Sequence, residues 1–212
     1  LAAHKGADED ALIAHCEAIA GRIPLIGFYL QPAVGGIVLS RGFWQRFAAI
    51  DNVIAIKVAP FNRYRTLDVV HGVVAAEAED RVSLYTGNDD HILLDLLTPF
   101  TARRAGEDVV VRFRGGLLGH WSVWVKPAVD YLAQAHAAVA AGAVDAELLQ
   151  LDSQITDANG ALFDVLNDFS GCIAGCHEVL RRQGLLQGTW CLNPDEAMSP
   201  GQTEALDRVI AD

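Results

Sequence analysis

The order of helix-like and strand-like segments is the feature of this sequence that most limits its fold. From residue 11 to residue 119, helical segments alternate with short apolar runs, at about 30 residues for each helix and strand together. Such alternation is typical of a parallel sheet whose strands are connected by helices. The predicted helices are 11–21, 40–50 (with Ser40 as N-cap), 66–80 and 89–100, and the predicted strands are 23–30, 52–60, 81–87 and 108–119.

The remainder of the chain, from about residue 122 to residue 212, shows helical spacing only. The alternating part therefore offers four strands, and four strands cannot close a barrel. A complete (β/α)8 barrel takes about 250 residues. The sequence predicts either a small open sheet, or the C-terminal part of a barrel whose first strands lie outside it.

Charge and composition narrow the class of partner. The net charge of −11 argues against a nucleic-acid or anionic-membrane surface. No window approaches the roughly 18 apolar residues of a membrane span. The N-terminal residues lack the pattern of a signal peptide, and the four cysteines are too scattered for a disulfide scaffold. We therefore expect a cytoplasmic protein that binds neither nucleic acid nor membrane.

Lys57 lies in the middle of the apolar run NVIAIKVAP, residues 52–60. Lysine is rarely buried unless it is paired or has lost its charge. An apolar wall lowers the pKa of an ammonium, which yields the neutral amine that a nucleophile needs. A structural lysine paired to a carboxylate such as Asp89 is the alternative. The residues alone leave both interpretations open.

Four segments, in order, carry a family resemblance. FYLQP (28–32), AIKVA (55–59) and YTGNDD (85–90) resemble the Tyr-Asn-x-Pro motif, the Schiff-base lysine strand and the Ser-Gly-Asp-Asp motif of the dihydrodipicolinate synthase / N-acetylneuraminate lyase family. The tail CHEVLRRQGLLQGTWCLNP (176–194) resembles that family's C-terminal helices. These proteins are class I Schiff-base lyases on a (β/α)8 barrel.

The resemblance implies an α/β fold that is the C-terminal half of a (β/α)8 TIM barrel. The four strands would be strands five to eight, and the LAAH opening would end strand four. Residues 1–128 would form the half-barrel, and residues 129–212 a helical region packed on it. The family also implies a homotetramer or homodimer, and catalysis through a lysine imine without a metal or another cofactor.

Three residues receive catalytic roles from the resemblance. Lys57 would form the imine with the substrate, and Tyr29 would relay protons and position the substrate. His4 stands where the family often has a tyrosine that reaches into a neighbouring subunit's site. A core aromatic is the alternative for Tyr29, and an exposed histidine near a chain end is the alternative for His4.

Three further residues are candidates for substrate binding. Gly87 would let the backbone approach the bound adduct, with Asn88 beside it, and Gly116 in RFRGGLLG would help hold an anionic group together with Arg112 and Arg114. A strand-to-helix turn and a tight turn with solvated charges are the alternatives. Two cysteines on one helix, residues 172 and 176, suggest a metal, but no second ligand pair at zinc spacing accompanies them, so packing is expected.

The sequence therefore predicts a Schiff-base-forming lyase, an aldolase or a dehydratase, acting on a 2-keto acid such as pyruvate or a sugar-derived keto acid. Val34 stands where dihydrodipicolinate synthase has an arginine for its second substrate, so dihydrodipicolinate synthesis itself is not expected. The alternative is a catalytically inactive family member that serves as a ligand-binding or assembly protein.

Overall fold

The computed structural model of the protein describes His4 and residues 6–211, and these form two compact units. The sheet unit runs up to Asn88 and includes Asp95–Leu117, and the helical unit holds Asp89–Leu94 and the residues from Leu118 onward. The chain passes from the first unit to the second after residue 117, and the domain boundary expected at residue 128 stays a prediction. The prediction that the LAAH opening ends a further strand concerns residues of which only His4 is described.

The sheet unit contains a sheet of four parallel strands. Helices lie between the strands along the chain, as the alternating pattern predicts. The strands among the described residues are β1 Leu25–Leu30, β2 Val53–Ala59, β3 Ser83–Thr86, β4 Phe100–Arg104, β5 Glu107–Val111 and β6 Phe113–Gly116. The parallel sheet has the strand order β1-β2-β3-β6. The helices of this part are α1 Glu9–Ala20, α2 Arg41–Ala49, α3 Arg63–Ala75 and α4 Ile92–Leu97, whose first turn belongs to the helical unit.

One face of the sheet packs on α2 and carries the aromatic part of the core. Tyr29 of β1 lies against Trp44 of α2, with ring centroids 4.8 Å apart. A Cβ on Gly27 would meet the Phe47 ring at 2.6 Å, so this glycine lets helix and strand approach closely. Burial of each large apolar side chain in this layer stabilises the fold by about 1.5–3 kcal/mol. The fully buried members include Phe43, Trp44, Ile56, Val58, Val69, Val70 and Leu84.

Helix starts follow local side-chain capping. Ser40 caps α2 as predicted, because its Oγ accepts a hydrogen bond from Phe43 N at 3.1 Å. The third helix begins earlier than the predicted residue 66, since Asn62 caps it by accepting from Arg65 N at 3.2 Å.

A β-hairpin replaces part of the predicted fourth strand. β4 and β5 pair antiparallel, and their turn residues Ala105 and Gly106 both have positive φ, 52° and 91°. This is the geometry of a two-residue type I′ turn, which matches the twist of paired strands. The predicted strand 108–119 is consequently divided, and only β6 joins the parallel sheet.

The helical unit is built around one apolar cluster. Val123, Leu162, Phe163, Val179 and Leu206 form its buried centre. Among the described residues, no helix is long and apolar enough to cross a membrane. The helices of this unit are α5 Gly119–Val123, α6 Val125–Ala141, α7 Ala146–Leu162, α8 Cys172–Arg182 and α9 Gln202–Ala211.

Candidate active site

Lys57 lies near the carboxyl end of β2, on the sheet face opposite to α2. Its side chain is half-buried, and Nζ lies 4.2 Å from the centroid of the Phe28 ring on β1. Phe28 is Lys57's register partner, so both side chains leave the sheet on the same side. A cation over an aromatic face is stabilised by about 0.5–2 kcal/mol, depending on how far it is desolvated.

The Gly87 backbone lies next to the Lys57 side chain. A Cβ at this position would come within 2.7 Å of Lys57 Cε and within 2.7 Å of Ala59 Cβ. The Gly87 N–H also donates to Val58 O at 2.8 Å, so the backbone cannot easily move away. Only glycine fits at this position without displacing the lysine.

Tyr85 is the tyrosine that shares a sheet face with Lys57. It pairs with Lys57 in register from β3, and Gly115 of β6 pairs with it on the far side. A Cβ on Gly115 would lie 3.3 Å from Tyr85 Cε1, so the glycine gives the ring its space. Neither Phe28 nor Tyr85 was predicted from the sequence to accompany the lysine. Alternation within each strand could have identified them, but only once the register between the strands was known.

Tyr29 leaves the sheet on the opposite face from Lys57. It pairs with Val58, the residue after the lysine, and it is 1% exposed. Its hydroxyl donates to Leu39 O at 3.3 Å and accepts from Leu39 N at 3.4 Å. Burial raises the pKa of the Tyr29 phenol. The structure therefore does not bring Tyr29 and Lys57 together, and the relay role of Tyr29 stays a prediction.

His4 is exposed, and its ring contacts the ring of His15 on α1, with centroids 4.5 Å apart. The catalytic role that the resemblance gives to His4 also stays a prediction.

Asn88 is 2% exposed, and its amide is engaged on both sides by protein groups. Oδ1 accepts from Phe61 N at 3.2 Å, while Nδ2 donates to Asp95 Oδ2 at 2.9 Å and to Thr66 Oγ1 at 3.3 Å. Asp95 in turn accepts from Arg63 and from Thr86 Oγ1, and burial raises the pKa of its carboxyl. These contacts hold the segments after β2 and β3 in place.

Gly116 ends β6 and pairs with Thr86, which puts it in register with Tyr29 and not with Lys57. The β6 residue in register with Lys57 is Gly115, which pairs with Tyr85, the register partner of Lys57 on β3. Arg112, which was predicted from the sequence to hold an anionic group together with Gly116, donates to Leu97 O at 3.0 Å.

The cysteines are all free thiols. Cys172 and Cys176 lie on consecutive turns of α8, and a hydrogen bond from the Cys176 thiol lowers the pKa of Cys172. Within His4 and residues 6–211, no three His, Cys, Asp or Glu side chains meet in a group that could hold a metal ion.

Solved structures that share this fold are dihydrodipicolinate synthases and a related aldolase. The dihydrodipicolinate synthase of Bacteroides thetaiotaomicron gives a TM-score of 0.72 at 16% identity, over 98% of this chain and 63% of that one. The chloride-inhibited dihydrodipicolinate synthase of Acinetobacter baumannii, complexed with pyruvate, gives 0.71 at 20% identity, over 98% and 62%. A 2-keto-3-deoxygluconate aldolase of Sulfolobus, in complex with D-KDPG, gives 0.66 at 14% identity, over 97% and 60%.

These matches confirm the predicted resemblance at the level of the fold. The chain has the fold of part of a (β/α)8 barrel of the dihydrodipicolinate synthase type, followed by C-terminal helices, as the sequence predicts. It spans about three fifths of the length of the solved structures that it matches. No protein-family model matches the sequence, and no curated protein does.

Proposed function

We propose that this chain carries the imine-forming lysine of a class I Schiff-base lyase, an aldolase or dehydratase that acts on a 2-keto acid. One observation carries the proposal: Lys57 leaves a parallel strand near its carboxyl end between an aromatic ring and a close-packed glycine. In barrels of this type the carboxyl ends of the strands form the active face.

The chemistry begins with the neutral amine of Lys57 attacking the C2 carbonyl carbon. The carbonyl oxygen is protonated and leaves as water, which gives a cationic iminium. The iminium nitrogen then accepts the electron pair of the C3–C4 bond in an aldol cleavage, or of a C3–H bond before loss of a hydroxyl group from C4. The Phe28 ring, 4.2 Å from Nζ, stabilises this cation. In the aldol cleavage the C4 hydroxyl loses its proton, C4 leaves as an aldehyde, and C3 of the enamine then takes a proton; in the dehydration the enamine expels the protonated C4 hydroxyl as water. Both routes give an iminium again, and addition of water to it releases the keto acid and restores Lys57.

Two tyrosines are candidates for the proton relay. The resemblance proposes Tyr29, whereas the face shared with Lys57 supports Tyr85 as the relay in this chain. We assign the relay to Tyr85 and give Tyr29 a packing role, a choice that is tested by the rate of C3 proton exchange in Tyr85→Phe and Tyr29→Phe. Gly87 provides the close backbone approach to the adduct, as proposed from the sequence. Asn88 and Gly116 keep the substrate-binding roles proposed from the sequence, and His4 keeps the catalytic role proposed from the resemblance.

Pyruvate and sugar-derived keto acids are the proposed substrates. Val34 is 46% exposed in the short 3-10 turn Pro32–Val34 and offers no charge to a second carboxylate, which supports a reaction other than dihydrodipicolinate synthesis. We further propose a homodimer or homotetramer that uses no metal. A reducing cytoplasm is the proposed location, in keeping with four free thiols.

Borohydride trapping tests the imine directly, because the reagent converts an imine to a stable secondary amine. The sequence contains three lysines, Lys5, Lys57 and Lys126, so peptide mapping assigns the adduct. With the full-length protein and a panel of 2-keto acids, we expect a mass increase on the Lys57 peptide only. Lys57→Met should abolish the adduct. Lys126→Met is the matched control, since Lys126 is exposed and paired to Asp130 at 3.0 Å, and should leave it unchanged.

A non-catalytic ligand-binding or assembly protein is the second candidate. The position of Tyr29 favours it, because the phenol expected to relay protons is bound to the Leu39 backbone. An absence of adduct with every keto acid, on folded full-length protein, would establish this second candidate over the first.

A further inference from the structure

The helical unit contains a cleft of about 420 Å³ that is separate from the lysine site. α5, α6, α7 and α9 surround it, and all of its lining residues belong to this unit. Its walls are mostly apolar and include Trp124, Ile155 and Ile210. His120 also lines the cleft, although only 4% of its surface is exposed. A cleft of this size and lining can hold a small organic molecule.

The hydrogen bonds around His120 define which of its nitrogens carries the proton. Asn159 Nδ2 donates to Asp89 O at 2.7 Å, which orients the amide so that its Oδ1 faces the histidine. His120 Nδ1 lies 2.6 Å from that oxygen and must therefore be the donor. Burial lowers the pKa of His120 to about 4, so the ring is neutral at physiological pH. In this tautomer Nε2 is a hydrogen-bond acceptor.

The acceptor Nε2 has no partner among the described residues, and it is not enclosed by protein. A hydrogen bond from a ligand donor to Nε2 therefore adds to the affinity of a molecule bound in the cleft. Since His120 lines the cleft, the cleft is where a partner for Nε2 can lie. The Trp124 ring lies beside it, with centroids 4.7 Å apart, so an aromatic ligand bonded to Nε2 would also contact the indole.

The charges near the cleft favour a neutral ligand. Asp157 is the acid among its lining residues, and it forms a bidentate ion pair with Arg208, at 2.5 and 2.9 Å. The hydrogen bonds from Arg208 lower the pKa of Asp157, which keeps the pair ionised and internally neutralised. The neutral imidazole adds no charge of its own.

We propose that this cleft binds a small neutral aromatic molecule with one hydroxyl donor, a phenol in chemical class. The hydroxyl donates to His120 Nε2, and the ring lies against Trp124 and Ile155. Asn159 is a positioning residue, because it fixes the tautomer without contacting the ligand.

The test compares two probes of similar size, phenol and toluene, on the unaltered protein by NMR. Both probes are apolar rings, but only phenol can donate a hydrogen bond. We expect phenol to shift the His120 Nε2, Trp124 and Ile155 resonances and to bind about tenfold more tightly than toluene. The nitrogen shift of Nε2 reports the hydrogen bond, which a purely structural histidine would not show. Equal affinity for both probes, shifts elsewhere only, or no shift up to the solubility of phenol overturns the proposal.

Two variants, each with one histidine replaced by phenylalanine, complete the test. His120→Phe keeps an aromatic ring beside Trp124 but removes the acceptor, so phenol should bind no more tightly than toluene. His136→Phe alters an exposed histidine on α6 outside the cleft and should retain the preference. If His120→Phe does not fold, the comparison of the two probes on the unaltered protein decides by itself. A preference for phenol that survives in a folded His120→Phe variant overturns the proposal.

Discussion

The space around the Lys57 side chain depends on single atoms of its neighbours. Gly87 is the neighbour at which even one added carbon atom would collide. In Gly87→Ala the new Cβ would overlap Ala59 Cβ, which is fixed to the backbone, as well as the flexible Lys57 Cε. We expect destabilisation by about 1–3 kcal/mol from overpacking. We also expect imine trapping to slow about tenfold or more, since the amine is displaced.

Gly160→Ala is the control for that variant, because a Cβ at Gly160 in α7 would meet nothing within 4 Å. It should stabilise the helix by about 0.5–1 kcal/mol and leave trapping unchanged. Urea unfolding and the rate of borohydride-trapped adduct measure the two effects. Unaltered trapping in a folded Gly87→Ala variant would show that Lys57 does not depend on this contact.

The roles of Tyr85 and Tyr29 can be distinguished by measuring proton transfer separately from imine formation. Once the imine has formed, the C3 protons of pyruvate exchange with solvent through the relay, and NMR in D2O follows this exchange. We expect Tyr85→Phe to slow exchange roughly 100-fold while trapping continues. Tyr29→Phe should lose about 1 kcal/mol of stability from its Leu39 hydrogen bonds and leave exchange nearly unchanged. The reverse result would return the relay to Tyr29.

At the scale of elements, Ser40 connects the starts of two helices. Its Oγ caps α2 and also donates to Glu9 Oε2 at 2.7 Å, while its backbone N–H donates to Glu9 Oε1 at 2.8 Å. Ser40→Ala should destabilise the protein by about 1–2 kcal/mol, measured by urea unfolding. Ser153→Ala, at an exposed position of α7, should change stability by less than about 0.5 kcal/mol. Equal effects would show that the cap contributes little.

Helix α8 is stabilised by ion pairs that depend on pH. Arg181 and then Arg182 hydrogen-bond to Glu178 and lower its pKa to about 2. A carboxyl whose pKa is depressed in the folded state contributes stability above its unfolded pKa, and this is lost as the pH falls toward 2. We expect a loss of about 1 kcal/mol between pH 5 and pH 2.5, because solvent screens part of the interaction.

The dependence on Glu178 is measured by urea unfolding across that pH range. Glu178→Gln should remove the corresponding part of the pH dependence. Glu204→Gln, at an exposed position of α9, should retain it. An unchanged pH profile in Glu178→Gln would assign the acid sensitivity to other groups.

At the scale of the whole molecule, the net charge of −11 opposes the proposed self-association. Subunits of like charge repel, and salt screens this repulsion within a Debye length of about 10 Å at 0.1 M ionic strength. Sedimentation velocity should therefore show a homodimer or homotetramer. Its dissociation constant should fall by about threefold or more when the salt concentration is raised from 0.05 M to 0.5 M. A monomer at every concentration and salt level would contradict the oligomer proposal.

Local sequence predicted many elements of the fold, because their signals lie within a few residues. The alternation of segments, the Ser40 cap and the placement of Lys57 in a strand all follow from such short-range patterns. The hairpin at Ala105 and Gly106 was missed, since the apolar run 108–119 does not show where one strand ends and the next begins.

The candidate site was less predictable than the fold. Lys57 and Gly87 could be named from the sequence, but which tyrosine accompanies the lysine depends on the register between β1, β2 and β3. A shift of one residue moves a side chain to the other face of the sheet, and no local pattern defines that shift. The hydrogen bonds of the Asn88 amide with Phe61 and Thr66 were likewise not predictable, because these residues lie 27 and 22 positions away in the chain.

By itself, the sequence determined that this chain alternates helices with parallel strands, ends in helices, and holds a lysine in an apolar strand. Periodicity and capping are properties of neighbouring residues, so no tertiary information was needed. Only the tertiary structure decided that Lys57 shares its face with Phe28 and Tyr85, and that Asn159 fixes the tautomer of His120. Those arrangements depend on strand register and helix packing, which bring together residues far apart in the chain.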